Sequence, residues 1–151
     1  MLFYFIAALI AVADQILKII VHQHMFLNQS IPLIGEVVKL TYVRNTGVAF
    51  SLFVGFSPYL AIVGTLVVGL VIYFHYRLTF YNYLVQIGLA FILGGSLGNL
   101  IDRFARGYVI DYMDITIWPV FNLADVMINI GVILLAYKLF EEEEKNVSDS
   151  D

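Results

Sequence analysis

The stretch from Tyr83 to Arg103 reads YLVQIGLAFILGGSLGNLIDR, and it carries no charged side chain before Asp102. A helix that crosses a membrane needs roughly 20 mostly apolar residues, so this stretch is long enough to span from about residue 83 to 101. Working outward, three more stretches qualify, at about 2–21, 58–76 and 121–140. The predicted fold is an all-α membrane protein of four transmembrane helices with a small β-containing surface segment. Residues 1–140 are read as a single domain, and 141–151 as an acidic, disordered tail.

The composition agrees. The chain has 151 residues, 61% of them hydrophobic and 13% charged, with mean hydropathy +0.88. Soluble domains are about 45–50% apolar and about 25% charged, and a core of this size cannot bury the surplus. Much of the net charge of −4 comes from Glu141 to Glu144, Asp149 and Asp151 in the tail. That tail is a solvated charge run and gives no sign of a nucleic-acid partner. Cysteine is absent, which excludes disulfides, thiolate metal sites and cysteine nucleophiles.

Local signals place the ends of the spans. Ser57-Pro58 reads as an N-cap followed by proline at the first helical position, and Asn82 and Asn122 read as caps of the third and fourth helices. Only residues 77–82 link spans two and three, which predicts a helical hairpin. The 22–57 segment is long and mixed, and its β-branched run from Val37 to Val43 predicts a strand or two on the membrane surface. Connection lengths then put 22–57 and 102–120 on one side, with both termini and the hairpin on the other. Ala11-Val12-Ala13 mimics a signal-peptide cleavage pattern, but no basic segment precedes it and apolar residues continue past it. Orientation is not set by charge: Lys39, Arg44, Arg103 and Arg106 on one side face Arg77, Lys138 and Lys145 on the other.

Polar residues inside the spans are costly, at roughly 2.5–3.5 kcal/mol for an ionisable side chain at the helix centre. The first span carries Asp14 and Lys18 at i, i+4, which predicts an internal ion pair, with Lys18 near enough to the span end to snorkel. Gly94 and Gly98 have the spacing that lets another helix approach closely. Asn99 and Arg103 share a face, with Asp102 one turn from Asn99. The fourth span opens with Asn122 and Asp125, and Asn129 continues the same stripe. Carboxylates at the facing ends of two spans, Asp111 and Asp125, are candidates for an acid–base dyad. Two close like charges cannot easily both ionise, so one stays protonated to polarise a carbonyl while the other activates water. The plainer alternatives are Asp125 as a helix-capping acid and Asp111 as a loop residue paired with Arg106.

Five segments, taken in order, resemble bacterial lipoprotein signal peptidase, the signal peptidase II family of aspartic peptidases. They are Asp14-Gln15-x-x-Lys18, Asn45-Thr46-Gly47-Val48-Ala49-Phe50-Ser51, Gly94-Gly95-x-x-Gly98-Asn99-Leu100-Ile101-Asp102-Arg103, Val109-Ile110-Asp111-Tyr112 and Phe121-Asn122-x-Ala124-Asp125. The resemblance implies an intramembrane endopeptidase that cuts prolipoproteins before a diacylglyceryl-modified cysteine. Asp111 and Asp125 fall on its catalytic pair, and Asn45, Asn99, Arg103 and Asn122 on residues that line or brace the site. Asp14 and Lys18 fall on a structural polar pair, and Asp102 is grouped with them. The interval between Asp111 and Asp125 is short for the family, and Asp114 adds a third acid to it.

The family's topology implies a bacterial cytoplasmic membrane, both termini in the cytoplasm, and the surface strands and active site at the outer leaflet. No metal or organic cofactor is expected. The expected partners are the lipid-modified substrate and membrane lipids, and the protein is expected to be a monomer. Two other enzyme readings are weaker. Gly94-Gly95-Ser96-Leu97-Gly98 fits the GxSxG pattern but lies inside an apolar helix, and no clustered histidines suggest zinc. A small transporter or ion-coupling subunit is the alternative from another class, because intramembrane acids and arginines also mark transport paths.

Overall fold

The computed structural model describes residues 1–47, 56–78 and 82–148. Four helices, α1 (Leu2–His24), α2 (Ser57–Arg77), α3 (Tyr83–Arg106) and α4 (Leu123–Ser148), are joined by three strands, β1 (Ser30–Ile34), β2 (Val38–Asn45) and β3 (Val109–Asp114). All four helices are long and apolar enough to cross a membrane. The expected spans are all present. Val48 to Ser51 of the second matching segment lie outside the described residues.

α3 is the central helix, and α1, α2 and α4 all pack on it. The reason lies in its small residues. A Cβ at Gly94 would stand 2.7 Å from the Ala7 carbonyl of α1, and one at Gly95 would collide with the Ala124 carbonyl of α4. Backbones can meet this closely only where side chains vanish. On α1 the buried residues are Phe3, Ala7, Ile10, Ala11, Asp14, Lys18 and Val21, one helical stripe turned to α3. Phe5, Leu9, Val12, Ile16 and Ile20 point outward as exposed apolar side chains, as lipid contact requires.

The helices alternate in direction. Phe3 stacks on His75 with ring centroids 3.7 Å apart, and Tyr4 bonds Tyr76 through their hydroxyls at 3.2 Å. The start of α1 therefore lies beside the α2–α3 hairpin. At the other end, Lys18 of α1 meets the last turns of α3. Connection lengths predicted this arrangement.

The sheet is antiparallel, in the order β1-β2-β3. The β-branched run predicted β2, whereas β1 and β3 come from stretches read as loop. In β3 the period of two divides the faces. Ile110 and Tyr112 pack with Val21, Met25 and Tyr42, while Val109 and Asp111 line a cavity.

Three further expectations are corrected. α2 is capped at Phe56, with no side-chain cap bond, so Ser57 is its first residue. Lys18 does not snorkel: its side chain is wholly buried among acids. The tail to Ser148 is helical, continuing α4. Lys138 pairs with Glu141 at 2.9 Å and Lys145 reaches Glu141 one turn later, the spacing that supports an exposed helix. Asn82 does cap α3, accepting from the Leu84 amide at 2.8 Å.

Candidate active site

The last turns of α3, strand β3 and the first turn of α4 converge below the sheet. A return of the chain brings them together. The Phe121 amide donates to the Met113 carbonyl at 3.0 Å, and the Phe121 carbonyl accepts from the Met113 amide at 2.8 Å. The loop between Asp114 and Phe121 thus closes on itself, and the short interval from Asp111 to Asp125 suffices to bring both to one cavity.

Asp125 sits at the third helical position of α4, with Asn122 as N-cap. The Asp125 amide donates to Asn122 Oδ1 at 3.0 Å, and the Asn122 amide donates to Asp125 Oδ2 at 3.2 Å. This reciprocal box satisfies two orphan helix-end donors. The capping alternative for Asp125 is therefore realised, and it uses one carboxylate oxygen. The other, Oδ1, accepts from Asn99 Nδ2 at 2.8 Å.

Asp111 is 2% exposed. Its Oδ1 accepts from Asn122 Nδ2 at 2.6 Å and its Oδ2 from Asn45 Nδ2 at 2.9 Å. Asn45 is held close because it pairs with Val109 across the β2–β3 ladder. Burial, and then the negative charge of Asp125, push the Asp111 carboxyl up to about 7, against the pull of its two asparagine donors. A carboxylic acid tuned to that range can hold a proton near neutral pH and give it up during a reaction.

Asp111 and Asp125 line the same cavity, of about 610 Å³, together with Asn45, Asn99, Arg103 and Asn129. Its apolar walls come from Ile115, Trp118, Val126, Ile130 and Ile133. Asn122 is fully buried beneath it. The expected lining and bracing residues therefore come together, with Asn122 as a brace below the cavity. The loop alternative for Asp111 fails, because Arg106 pairs with Asp102 instead. Asp114 lies elsewhere, taking hydrogen bonds from the Thr41 hydroxyl at 2.7 Å and the Thr116 amide at 2.9 Å. Those bonds hold its carboxyl below the usual range.

Asp14, Lys18 and Asp102 form a separate buried knot. Lys18 Nζ lies 2.8 Å from Asp14 and 3.1 Å from Asp102. Asp102 also accepts from Arg106, Gln15 and the Ile110 amide, the last at 3.0 Å. It thereby ties α3 to β3. Asp14 Oδ1 accepts from the Ala124 amide at 3.0 Å, which anchors the first turn of α4 to α1. Arg103 and Arg106 are thus committed to the cavity and the knot, which explains why their charge does not report orientation.

Sequence reading missed the apolar wall from Ile115 to Ile133, because nothing in composition separates a cavity wall from lipid-facing residues. Asn129 was visible on the Asn122–Asp125 stripe, and its Nδ2 donates to the Asp125 carbonyl at 2.8 Å. The serine alternative gains no base. His22 bonds Tyr42, His24 bonds the Ile20 carbonyl and His75 bonds Gln86, while Ser96 is buried within α3.

Comparison with known proteins identifies the family. The family model described as Signal peptidase (SPase) II matches residues 6–141. The lipoprotein signal peptidase of Halothermothrix orenii is 43% identical over 93% of this chain and 97% of its own length. That of Bacillus subtilis is 38% identical over 96% of this chain and 97% of its own. A solved bacterial membrane enzyme superposes with a TM-score of 0.88 at 30% identity, over 93% of this chain and 88% of that one.

Proposed function

The chain belongs to the signal peptidase II family, and from that premise we propose an aspartic mechanism with Asp111 and Asp125 as its catalytic pair. It is a multi-pass membrane peptidase that removes signal peptides from prolipoproteins. The observation that carries the mechanism is the convergence of these two carboxylates on one cavity, while Asp14, Asp102 and Asp114 bond elsewhere.

In this mechanism Asp125 is the base. It takes a proton from the attacking water, and Asp111 donates its proton to the carbonyl oxygen of the scissile bond. The tetrahedral intermediate collapses as a proton passes to the departing amine. The two acids exchange roles over the cycle. In the same mechanism Arg103 and Asn45 bind the substrate backbone at the cavity's edge.

The substrate is cut before its diacylglyceryl-modified cysteine. Such a substrate already lies in the bilayer, held by roughly 0.8 kcal/mol per buried CH₂. Admission sideways from lipid accords with the apolar wall of Ile115, Trp118, Val126, Ile130 and Ile133. In this reading residues 1–140 form one peptidase domain, active as a monomer. Both termini lie in the cytoplasm, with the sheet and cavity at the outer leaflet. The transporter alternative gains no support from the family match.

The test is cleavage of a diacylglyceryl-modified prolipoprotein by the purified protein in detergent, with products weighed by mass spectrometry. The expected product begins at the modified cysteine. Cleavage at another bond, or none, would overturn the substrate assignment.

A further inference from the structure

Lys18 is wholly buried, lies outside the cavity and has three polar neighbours, one for each N–H of its ammonium group. Two are the acids Asp14 and Asp102. The third is Asn99 Oδ1, at 3.0 Å. That same oxygen accepts from Asn122 Nδ2 at 3.2 Å, while Asn99 Nδ2 donates to Asp125 Oδ1 at 2.8 Å. An amide has a direction, with acceptor at one end and donors at the other. Turned over, Asn99 would present its N–H groups to an ammonium and to another amide N–H, and its oxygen to a carboxylate. Every contact would then set like against like.

We infer that Lys18 is a positioning residue for catalysis: its bond to Asn99 Oδ1 fixes the amide's direction, so that Asn99 presents a donor to Asp125. Asn122 belongs to the same one-way chain. Its Nδ2 donates to Asn99 Oδ1 and to Asp111 Oδ1, and its Oδ1 takes the Asp125 amide. Donors therefore point at both carboxylates, and the chain begins at a cation that cannot accept. This goes beyond an ion pair that orients α1, and it rests on the reading of Asp111 and Asp125 as the catalytic pair.

The test separates donor direction from charge balance. Removing Lys18 alone strands a buried acid, so the variants are made on an Asp14→Asn background, where the knot stays neutral. Lys18→Met/Asp14→Asn keeps the apolar stem and removes the donor. Lys18→Gln/Asp14→Asn keeps a neutral donor at similar reach. Both are purified with the full chain, melted, and assayed on a diacylglyceryl-modified prolipoprotein peptide.

The methionine variant is expected to lose roughly a hundredfold in kcat, the scale of a small misplacement of a catalytic group, with KM within about twofold. The glutamine variant is expected to recover at least tenfold of that loss. Equal kcat in the two variants at matched melting temperature would overturn the inference, as would wild-type kcat in the methionine variant. If the methionine variant does not fold, Lys18→Gln/Asp14→Asn against Asp14→Asn alone decides. A glutamine variant with kcat within tenfold of Asp14→Asn supports the donor, and a hundredfold deficit overturns it. The catalytic-pair reading fails separately, if Asp111→Asn and Asp125→Asn remain active.

Discussion

The buried polar groups fall into two neighbouring regions with opposite electrostatic designs. In the knot of Asp14, Lys18, Asp102 and Arg106, two acids meet two cations, and the inner carboxylates and the Lys18 ammonium are fully buried. At the cavity, Asp111 and Asp125 face each other's charge with asparagine amides as their bonded partners. Balanced charge with saturated hydrogen bonds is what a buried network needs to hold helices together. Two acids with neutral partners beside an open cavity are what shared-proton chemistry needs. The same residue type is structural in one place and, in the proposed mechanism, catalytic in the other. The difference lies in the directly bonded partners, cations in the knot and asparagine amides at the cavity.

Asp102→Ala takes the carboxylate from Arg106, leaves Lys18 paired with Asp14 alone and frees the Ile110 amide, and is expected to destabilise the protein by about 3–5 kcal/mol. Thermal melting in detergent checks it. The loss should exceed that of Asp111→Asn at any pH.

The cavity acid should behave in the opposite sense. Because the Asp111 carboxyl is pushed up to about 7 in the folded protein, the folded state holds its proton more tightly than the unfolded chain. Its ionisation therefore costs stability as pH rises from about 4 to about 7, and the cost is constant above. Asp111→Asn lacks this term, so its melting temperature relative to wild type should climb across that window. At about 1.4 kcal/mol per pKa unit the effect is up to about 4 kcal/mol. Activity should fall as pH passes about 7, where the acid loses its proton.

Gly98 lies at the junction of the two regions. A Cβ there would stand 2.5 Å from Asp14 Oδ2 and 3.4 Å from the Ala124 methyl. Gly98→Ala is expected to cost about 1–3 kcal/mol as overpacking and to lower kcat by shifting the first turn of α4. A melt and a rate measured on the same preparation test both halves.

The smallest effect is expected at the third acid. Asp114→Asn should leave kcat within about twofold, since Asp114 bonds Thr41 and Thr116 away from the cavity. Its depressed carboxyl stabilises the fold above the unfolded pKa, and that contribution is lost as pH falls through the folded value. The variant should therefore differ from wild type at neutral pH and converge with it in acid.

Hydropathy alone made the four helices legible, because lipid demands an unbroken apolar run and α1 to α4 supply it. The i, i+4 spacing of Asp14 and Lys18 announced an ion pair, and Asn122-x-x-Asp125 announced a helix cap. The spacing of those residues left open which acids met at a cavity. Asp111 sits on a six-residue strand whose pattern, with an acid at its third position, is hard to tell from a loop. Its placement depends on pairing with β2, a contact between segments far apart in sequence. The burial of Lys18 was hidden for the same reason, since Asp102 and Asn99 reach it from another helix.

The most direct test of the central claim is cleavage of a diacylglyceryl-modified prolipoprotein peptide by wild type, Asp111→Asn, Asp125→Asn and Asp114→Asn, each checked for folding by melting. General acid–base residues contribute roughly 10²–10⁴-fold. The account predicts losses of that size or more in the first two variants, which stay folded, and near-wild-type rates in the third. Full activity in Asp111→Asn or Asp125→Asn would contradict it.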